Sequence, residues 1–148
     1  MSMNWKIAQS IYNKIISKCP IGTLNTNQKK NPINYSLRMS IARSATMSEH
    51  EIGGTTGFRL VSQNYETAKK THLAGGIKFI NFSSETERYN AWQSYLTKFA
   101  RFCVMLDEST KLAPYMDDYT EPWTDERFKQ YFGLTDIEWQ LIDTVIKD

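Results

Sequence analysis

The most constraining feature of the sequence is an apolar stripe in its second half. Five apolar residues follow one another at steps of four, three, four and three: Trp92, Leu96, Phe99, Cys103 and Leu106. This spacing places them on one face of an α-helix, and that face must be buried against a second layer. Ser84 and Glu87 stand ahead of the stripe with the spacing of a capping box. The pattern therefore predicts one long central helix that begins at Ser84.

Three shorter helical segments accompany the central one. The first, at residues 4–19, has isoleucines and an alanine at helical spacing and ends before a proline. Towards the C-terminus, Thr124 is placed to cap a short helix that ends at Gly133. Thr135 and Glu138 form a second capping box ahead of the last helix. We therefore expect an N-terminal helix and two short C-terminal helices.

Alternating apolar and polar residues predict strands at residues 35–44 and 77–82, and residues 58–62 are a candidate for a shorter one. In the first strand, Leu37 would face a core and Arg38 would face solvent or a ligand. No helix-length segment connects consecutive strands, so antiparallel pairing is expected. Together these elements predict an α+β fold with a small antiparallel sheet, in a single domain that spans residues 1–148.

Charge divides the chain into two unequal halves. Residues 1–74 hold ten Lys/Arg and three Asp/Glu, a net charge of +7, whereas residues 75–148 hold eight and thirteen, a net charge of −5. A basic half attracts phosphates and an acidic half repels them, so a nucleic acid would bind at the first half. The alternative interpretation is that both halves are ordinary solvated surfaces.

Membrane insertion and metal binding find no support in the sequence. No run of about 20 apolar residues is present, and the N-terminus lacks the apolar run of a signal peptide, so a cytoplasmic location is expected. Cys19 and Cys103 form no paired motif, so we expect neither a zinc site nor another cofactor. Cys103 lies on the apolar stripe, which is typical of a buried thiol.

A series of short motifs in the second half is more specific than its helical pattern. In order, these are Phe82-Ser83-Ser84, Thr97-Lys98-Phe99 with Arg101-Phe102, a proline-flanked loop, Trp123-Thr124-Asp125-Glu126 and Tyr131-Phe132-Gly133-Leu134-Thr135. Over residues 80–142 this order resembles the C-terminal region of restriction–modification DNA adenine methyltransferases and of related restriction enzymes with a fused methylase. The resemblance implies a region beyond the catalytic domain that contributes to target recognition on DNA. Residues 1–75, a basic strand-and-loop part, match only loosely, and the helical part of residues 76–148 carries the resemblance.

Most of the matching residues have a structural interpretation. Trp123 is expected to anchor the core, Thr124 to cap a helix, and Gly133 to adopt a left-handed conformation. Asp125 and Glu126 begin a helix, where the helix dipole favours carboxylates without any catalytic role. These motifs are therefore expected to form a scaffold rather than a site.

Lys98 and Arg101 allow two interpretations. Both lie on the predicted central helix but off its apolar stripe. One interpretation is contact with DNA phosphates. The other is a solvated face, or an ion pair with an acid such as Glu87 or Asp107.

The motifs of a methyltransferase or a nuclease are missing. The segment Asn31-Pro32-Ile33-Asn34 begins like the NPPY motif that holds a flipped adenine, but it lacks the second proline, and Tyr35 comes one residue late. Gly53, Gly54 and Gly57 do not lie between a clear strand and a helix, as a methyl-donor loop requires. We therefore expect no enzymatic activity from the chain on its own, whether it is a fragment of a longer enzyme or a small stand-alone relative.

Nine basic residues are candidates for DNA binding: Lys29, Lys30, Arg38, Arg43, Arg59, Lys69, Lys70, Lys98 and Arg101. Their charges would contact phosphates. Base reading is expected from the arginines on strands, or from Asn and Gln in residues 25–34, because arginine favours guanine and amides favour adenine. The expected partners are double-stranded DNA and a methyltransferase or endonuclease catalytic domain, in the same chain or in another.

Two other functions are open at this point. A small stand-alone relative, for example in a phage, could dock onto a restriction or defence complex and inhibit or complete it. The acidic half could then imitate or repel DNA. A small enzyme would depend on His50 and His72, and nothing in the sequence places these two histidines together.

Overall fold

The structure is a computed structural model that describes residues 4–18, 29–30, 32–39, 59–71, 78–107 and 114–146. Within these ranges the chain has the predicted α+β fold, with six helices and a two-stranded antiparallel sheet. Several features of the sequence lie outside the described residues: Arg43, both histidines, Cys19, the three glycines at 53, 54 and 57, and the first residue of the NPPY-like segment, Asn31.

In chain order the elements are α1 (Trp5–Lys18), β1 (Tyr35–Met39), α2 (Tyr65–Ala68), β2 (Lys78–Phe82), α3 (Glu85–Tyr95), α4 (Lys98–Asp107), α5 (Asp125–Phe132) and α6 (Asp136–Val145). In the described part of the third candidate strand, Arg59 forms an isolated β-bridge and residues 60–61 bend, so no strand forms there. Among the described helices, none is long and apolar enough to cross a membrane. The described residues also contain no group of three or more His, Cys, Asp or Glu side chains suited to a metal ion.

The sheet has a core face and a second face. Leu37 lies opposite Ile80, and both belong to the hydrophobic core, against which α3 packs. Arg38 lies opposite Phe79, and because side chains alternate along a strand, these two belong to the second face. Lys29 extends the sheet on the other side of β2, since its N–H donates to the Phe79 carbonyl at 2.7 Å and its carbonyl accepts the Phe79 N–H at 2.8 Å.

The predicted central helix is divided into α3 and α4. At the break, the N–H of Leu96 donates to the carbonyl of Gln93, which tightens the last turn of α3. Thr97 begins the next helix, because its Oγ1 accepts the N–H of Ala100 at 3.2 Å. The apolar stripe continues across the break, and the periodicity of the sequence therefore shows one helix where the backbone forms two.

Asp125 explains why the break can form at this position. Its carboxylate accepts the N–H of Phe99 at 2.9 Å and the N–H of Lys98 at 3.3 Å, which satisfies backbone donors at the start of α4. Burial raises the pKa of Asp125, and these two hydrogen bonds oppose that shift. Asp125 is also the first residue of α5. One carboxylate therefore joins the beginnings of two helices. Asp125, an acid of the Trp123-Thr124-Asp125-Glu126 motif, thus has a structural role.

The predicted N-caps of the other helices are confirmed, but of the capping box predicted at Ser84 only the Ser84 half forms, because the Glu87 side chain accepts from Ser83 Oγ instead. The side chains of Ser84 and Thr124 each accept a backbone N–H from the first turn of their helix. Thr135 and Glu138 form a complete reciprocal capping box. Gly133 ends α5 with φ at 66°, a left-handed conformation that costs glycine little and other residues more.

Trp123 is the core anchor that the sequence predicts. It is 5% exposed, and its ring stacks on that of Phe128 with centroids 5.2 Å apart. Its Nε1 donates to the carbonyl of Asp118 at 2.7 Å, and the guanidinium of Arg127 lies 3.7 Å from the ring centre. Cys103 is buried, as expected.

Glu138 joins α6 to α1. Its buried carboxylate accepts hydrogen bonds from Lys14 Nζ at 2.5 Å and from Ser10 Oγ at 2.6 Å. Lys14 also donates to the carbonyl of Gly133 at 2.8 Å. Burial would raise the pKa of Glu138, but the hydrogen bonds from Lys14, Ser10 and the Thr135 N–H outweigh it and hold that pKa below its usual value. The N-terminal helix is therefore held to the C-terminal helices by a polar network as well as by its apolar face.

Candidate functional site

A cavity of about 250 Å³ opens between β1, residues 59–62 and α2. Its described lining consists of Arg38, Arg59, Leu60, Val61, Ser62, Thr67 and Ala68. Two guanidinium groups, two hydroxyl-bearing residues and an apolar wall therefore meet in one place. Both charged residues in this described lining, Arg38 and Arg59, are positive.

Arg38 faces this cavity because of the strand register. Its neighbours Leu37 and Met39 are buried in the core, and alternation therefore directs Arg38 to the opposite face. The Arg38 side chain is partly buried. Within the part of the chain that the structure describes, its guanidinium makes no hydrogen bond or ion pair. It is therefore an available donor group held on a regular strand.

The segment that carries Arg59 is held in place by its neighbours. Leu60 and Val61 belong to the hydrophobic core, and Trp92 Nε1 on α3 donates to the carbonyl of Ser62 at 2.7 Å. Arg59 itself is only 8% exposed. Because a guanidinium does not lose its charge in a protein, Arg59 places a permanent positive charge in the cavity wall.

Two lysines follow the single turn of α2, whose Thr67 lines the cavity. Lys69 forms an ion pair with Glu66, with the two atoms 2.9 Å apart, and its Nζ lies 4.7 Å from the centre of the Tyr65 ring. Lys70 is exposed and has no ion pair in the described ranges. The two adjacent lysines therefore differ in how available their charges are.

Lys29 and Lys30 approach from the other side of β2. Phe79 pairs with Lys29 on one side and with Arg38 on the other. Directly opposed residues of antiparallel strands share a face, so the Lys29 and Arg38 side chains leave the same face, roughly 10 Å apart at two strand spacings. Lys30 is exposed beside Lys29. We refer to Lys29, Lys30, Arg38, Arg59, Lys69 and Lys70 as the basic surface.

An aromatic cluster braces α2 against α3. The ring centroid of Tyr65 is 5.0 Å from that of Tyr89 and 5.0 Å from that of Trp92. The Tyr65 hydroxyl donates to Glu85 at 2.6 Å and accepts from Arg88 Nε at 3.2 Å. Burial and the hydrogen bond to Glu85 raise the pKa of Tyr65 to about 12, so this hydroxyl is protonated at neutral pH. The α2 wall of the cavity is therefore held in a defined orientation.

The structure places Lys98 and Arg101 elsewhere. Both lie on α4, which packs against α3, α5 and α6, and neither lines the cavity. Lys98 Nζ forms an ion pair with Asp143 at 2.8 Å. Arg101 is 6% exposed, and its Nε donates to the carbonyl of Thr97 at 3.2 Å. The charges of Lys98 and Arg101 are therefore engaged within the helices. The remaining candidate, Arg43, lies outside the described residues.

Sequence reasoning missed Ser62 and Thr67, which contribute hydroxyl groups to the cavity. A signal for Thr67 was present, because Asn64 stands at capping distance, and its Oδ1 accepts the Thr67 N–H at 3.1 Å. Ser62 had no comparable local signal. It reaches the site through the packing of Leu60 and Val61, which depends on distant parts of the chain.

In comparisons with known proteins, no family model, no curated protein and no solved structure matches the chain. The resemblance to the C-terminal regions of DNA adenine methyltransferases therefore stays a hypothesis, and it depends on the motifs of residues 80–142. The geometry of the basic surface is an independent observation, since residues 29–71 lie outside those motifs.

Proposed function

We propose that the chain binds double-stranded DNA through the basic surface, as a non-catalytic target-recognition module of a restriction–modification system. The observation that carries the proposal is the cavity whose described lining includes both Arg38, on a regular strand, and Arg59. Like charges brought together in one wall favour an anion beside them. Phosphate groups and the acceptor edge of guanine are the partners that DNA offers to such a pair.

Availability of charge supports a phosphate-binding role. In the described ranges, Lys29, Lys30, Arg38 and Lys70 have no ion pair within the protein. Such cations replace the counterions of DNA without first breaking an internal contact. The net charge of −5 over residues 75–148 repels DNA from the other part of the molecule and thereby favours approach at the basic surface.

The shape of the site supports base reading in the major groove. A two-stranded ribbon such as β1–β2 is an element that the major groove of B-DNA admits. Arg38 lies on this ribbon and is partly buried, so little side-chain freedom is lost when its guanidinium binds. Within this proposal Arg38 is the residue that contacts guanine, and the lysines set the register on the phosphates.

A salt titration tests the proposal. Fluorescence anisotropy of a labelled duplex should show affinity that falls linearly on logarithmic axes between about 50 and 200 mM salt, with a slope of roughly −0.9 per phosphate contact. We expect Arg38→Gln to weaken binding by about tenfold and to relax any preference for guanine in a selection from random sequences.

Lys129→Gln is the matched control, because Lys129 is a basic residue of α5 whose Nζ pairs with Asp136 at 2.9 Å. It should leave both the affinity and the slope unchanged. Absence of binding at low salt would refute DNA binding by this chain. Equal losses from Arg38→Gln and Lys129→Gln would refute the assignment to the basic surface.

A further inference from the structure

A second cavity, of about 310 Å³, lies where the end of β2 meets α3 and residues 115–119. Three aromatic rings and two carboxylates contribute to its lining: Phe82, Tyr115, Tyr119, Glu87 and Asp117. No described lining residue carries a positive charge. This cavity, which we call the aromatic cavity, therefore has the opposite electrostatic character to the basic surface and shares no residue with it.

The three rings pack against one another at one wall of this cavity. The centroid of the Phe82 ring is 5.7 Å from that of Tyr119 and 6.4 Å from that of Tyr115, and the two tyrosines are 6.0 Å apart. The Tyr119 hydroxyl is held on the inner side by the Tyr95 hydroxyl at 3.0 Å and by the Met116 N–H at 3.1 Å. Aromatic rings that line a cavity attract an organic cation placed over a ring face.

The carboxylates strengthen this attraction. The Ser83 hydroxyl donates to Oε2 of Glu87, and Oε1 has no partner among the described residues. Burial and the nearby charge of Glu87 raise the pKa of Tyr115. Burial, with a smaller contribution from Asp117, raises the pKa of Tyr119. Both phenols are therefore neutral, and a negative potential surrounds them.

We infer that the aromatic cavity binds the ammonium group of a lysine side chain presented by a protein partner. Cation–π attraction and the two carboxylates favour the ammonium group, and the four-carbon stem of lysine can pack on Phe82 and Met116. A hydrated metal ion is a poorer fit, because calcium takes six to eight oxygen ligands and aromatic rings supply none. The net charge of −5 over residues 75–148 would draw a basic partner towards this side of the chain.

A titration monitored by amide NMR spectra of the whole chain tests the inference. The probe is a blocked glycine–lysine–glycine tripeptide, and its control is the same tripeptide with norleucine in place of lysine. We expect saturable shifts at Phe82 and residues 115–119 with millimolar affinity for the lysine peptide, and no saturable shift with norleucine. Absence of these shifts, or equal shifts with norleucine, would overturn the inference.

Three variants locate the binding. Glu87→Gln and Tyr115→Leu should each weaken the lysine peptide by about fivefold or more. Glu121→Gln removes the same charge from an exposed residue nearby that does not line the cavity, and it should have no effect. If all three variants weaken binding equally, the attraction belongs to the acidic surface in general and the assignment to this cavity is wrong. The dispersion of the amide signals shows whether each variant is folded. If Tyr115→Leu does not fold, the comparison of Glu87→Gln with Glu121→Gln decides the outcome. The peptide titration contains no duplex DNA, so its result is independent of the proposed DNA binding.

Discussion

The region of α3 to α6 and the basic surface use their positive charges in opposite ways. All five described basic residues from α3 to α6 have a partner inside the protein: Arg88, Lys98, Arg101, Arg127 and Lys129. On the basic surface, four of the six residues have no ion pair in the described ranges: Lys29, Lys30, Arg38 and Lys70. The two regions contain similar numbers of positive charges, and the difference lies in whether those charges are already engaged.

The difference shows that a count of basic residues is a weak guide to a binding surface. A paired lysine must give up its internal contact before it binds a phosphate, whereas an unpaired lysine gives up only water and counterions. The motifs that resemble a DNA-modifying family lie between β2 and α6, where the charges stabilise helices. The proposed contact surface lies ahead of them. Four predictions separate the scaffold from the proposed contact surface.

The largest expected effect is on the scaffold. Trp123→Ala removes a buried indole that stacks on Phe128 and donates to Asp118, and it should lower the free energy of unfolding by about 4 kcal/mol. Trp5→Ala is the matched control, since Trp5 is 68% exposed and its loss should change stability by less than about 0.5 kcal/mol. Urea denaturation measures both. Similar losses from the two variants would contradict the assignment of Trp123 as a core anchor.

A smaller but still large effect is expected at the contact between α1 and α6. Glu138→Ala leaves Lys14 and Ser10 without their acceptor, and it should cost about 2–3 kcal/mol of unfolding free energy. Asp136→Asn removes an exposed carboxylate two residues away and should cost much less. A loss from Glu138→Ala no greater than that from Asp136→Asn would show that α1 is held by its apolar face alone.

Glu138 also predicts a pH dependence. Its pKa in the folded protein lies below the usual 4.5, so its carboxylate stabilises the fold above pH 4.5. That contribution is lost as the pH falls through the lowered pKa. Urea midpoints of the wild type should therefore fall more steeply below pH 4.5 than those of Glu138→Gln. Parallel pH profiles for the two proteins would be inconsistent with the lowered pKa.

The smallest predicted effect is a gain of DNA affinity. Glu66→Gln releases Lys69 from its ion pair and should strengthen duplex binding about twofold to threefold at low salt. Asp136→Asn releases Lys129 from an equivalent pair on α5, outside the basic surface, and should leave the affinity unchanged. Anisotropy titrations of both variants provide the measurement. An equal gain from the two variants would show that net charge, rather than the basic surface, controls binding.

Much of the fold could be predicted because its signals are local. The caps at Ser84, Thr124 and Thr135 depend on residues three positions away, and the core face of β1 depends on simple alternation. The division between α3 and α4 could not be predicted in this way. The break depends on Asp125, whose contact with Phe99 spans 26 residues. The apolar periodicity of the helical segment does not indicate where the break occurs.

The candidate site was less accessible to sequence reasoning. Arg38 and Arg59 were both predicted as DNA contacts, but their meeting in one cavity depends on how α2 packs against β1 and α3. The ion pair of Lys98 with Asp143 spans 45 residues, and no local pattern in the sequence indicates it. Local patterns identify which residues carry charge, whereas long-range packing determines which charges are left unpaired.

The sequence by itself determined the α+β class, the helix caps, the left-handed glycine, the buried tryptophan and the excess of positive charge in the first half. Each of these follows from interactions over a few residues or from composition. Only the tertiary structure decided that the second-half lysine and arginine candidates are engaged in the scaffold, that two arginines share a cavity, and that three aromatic rings meet beside two carboxylates. These arrangements join segments distant in sequence, and the free energy that selects them comes from burying the core as a whole.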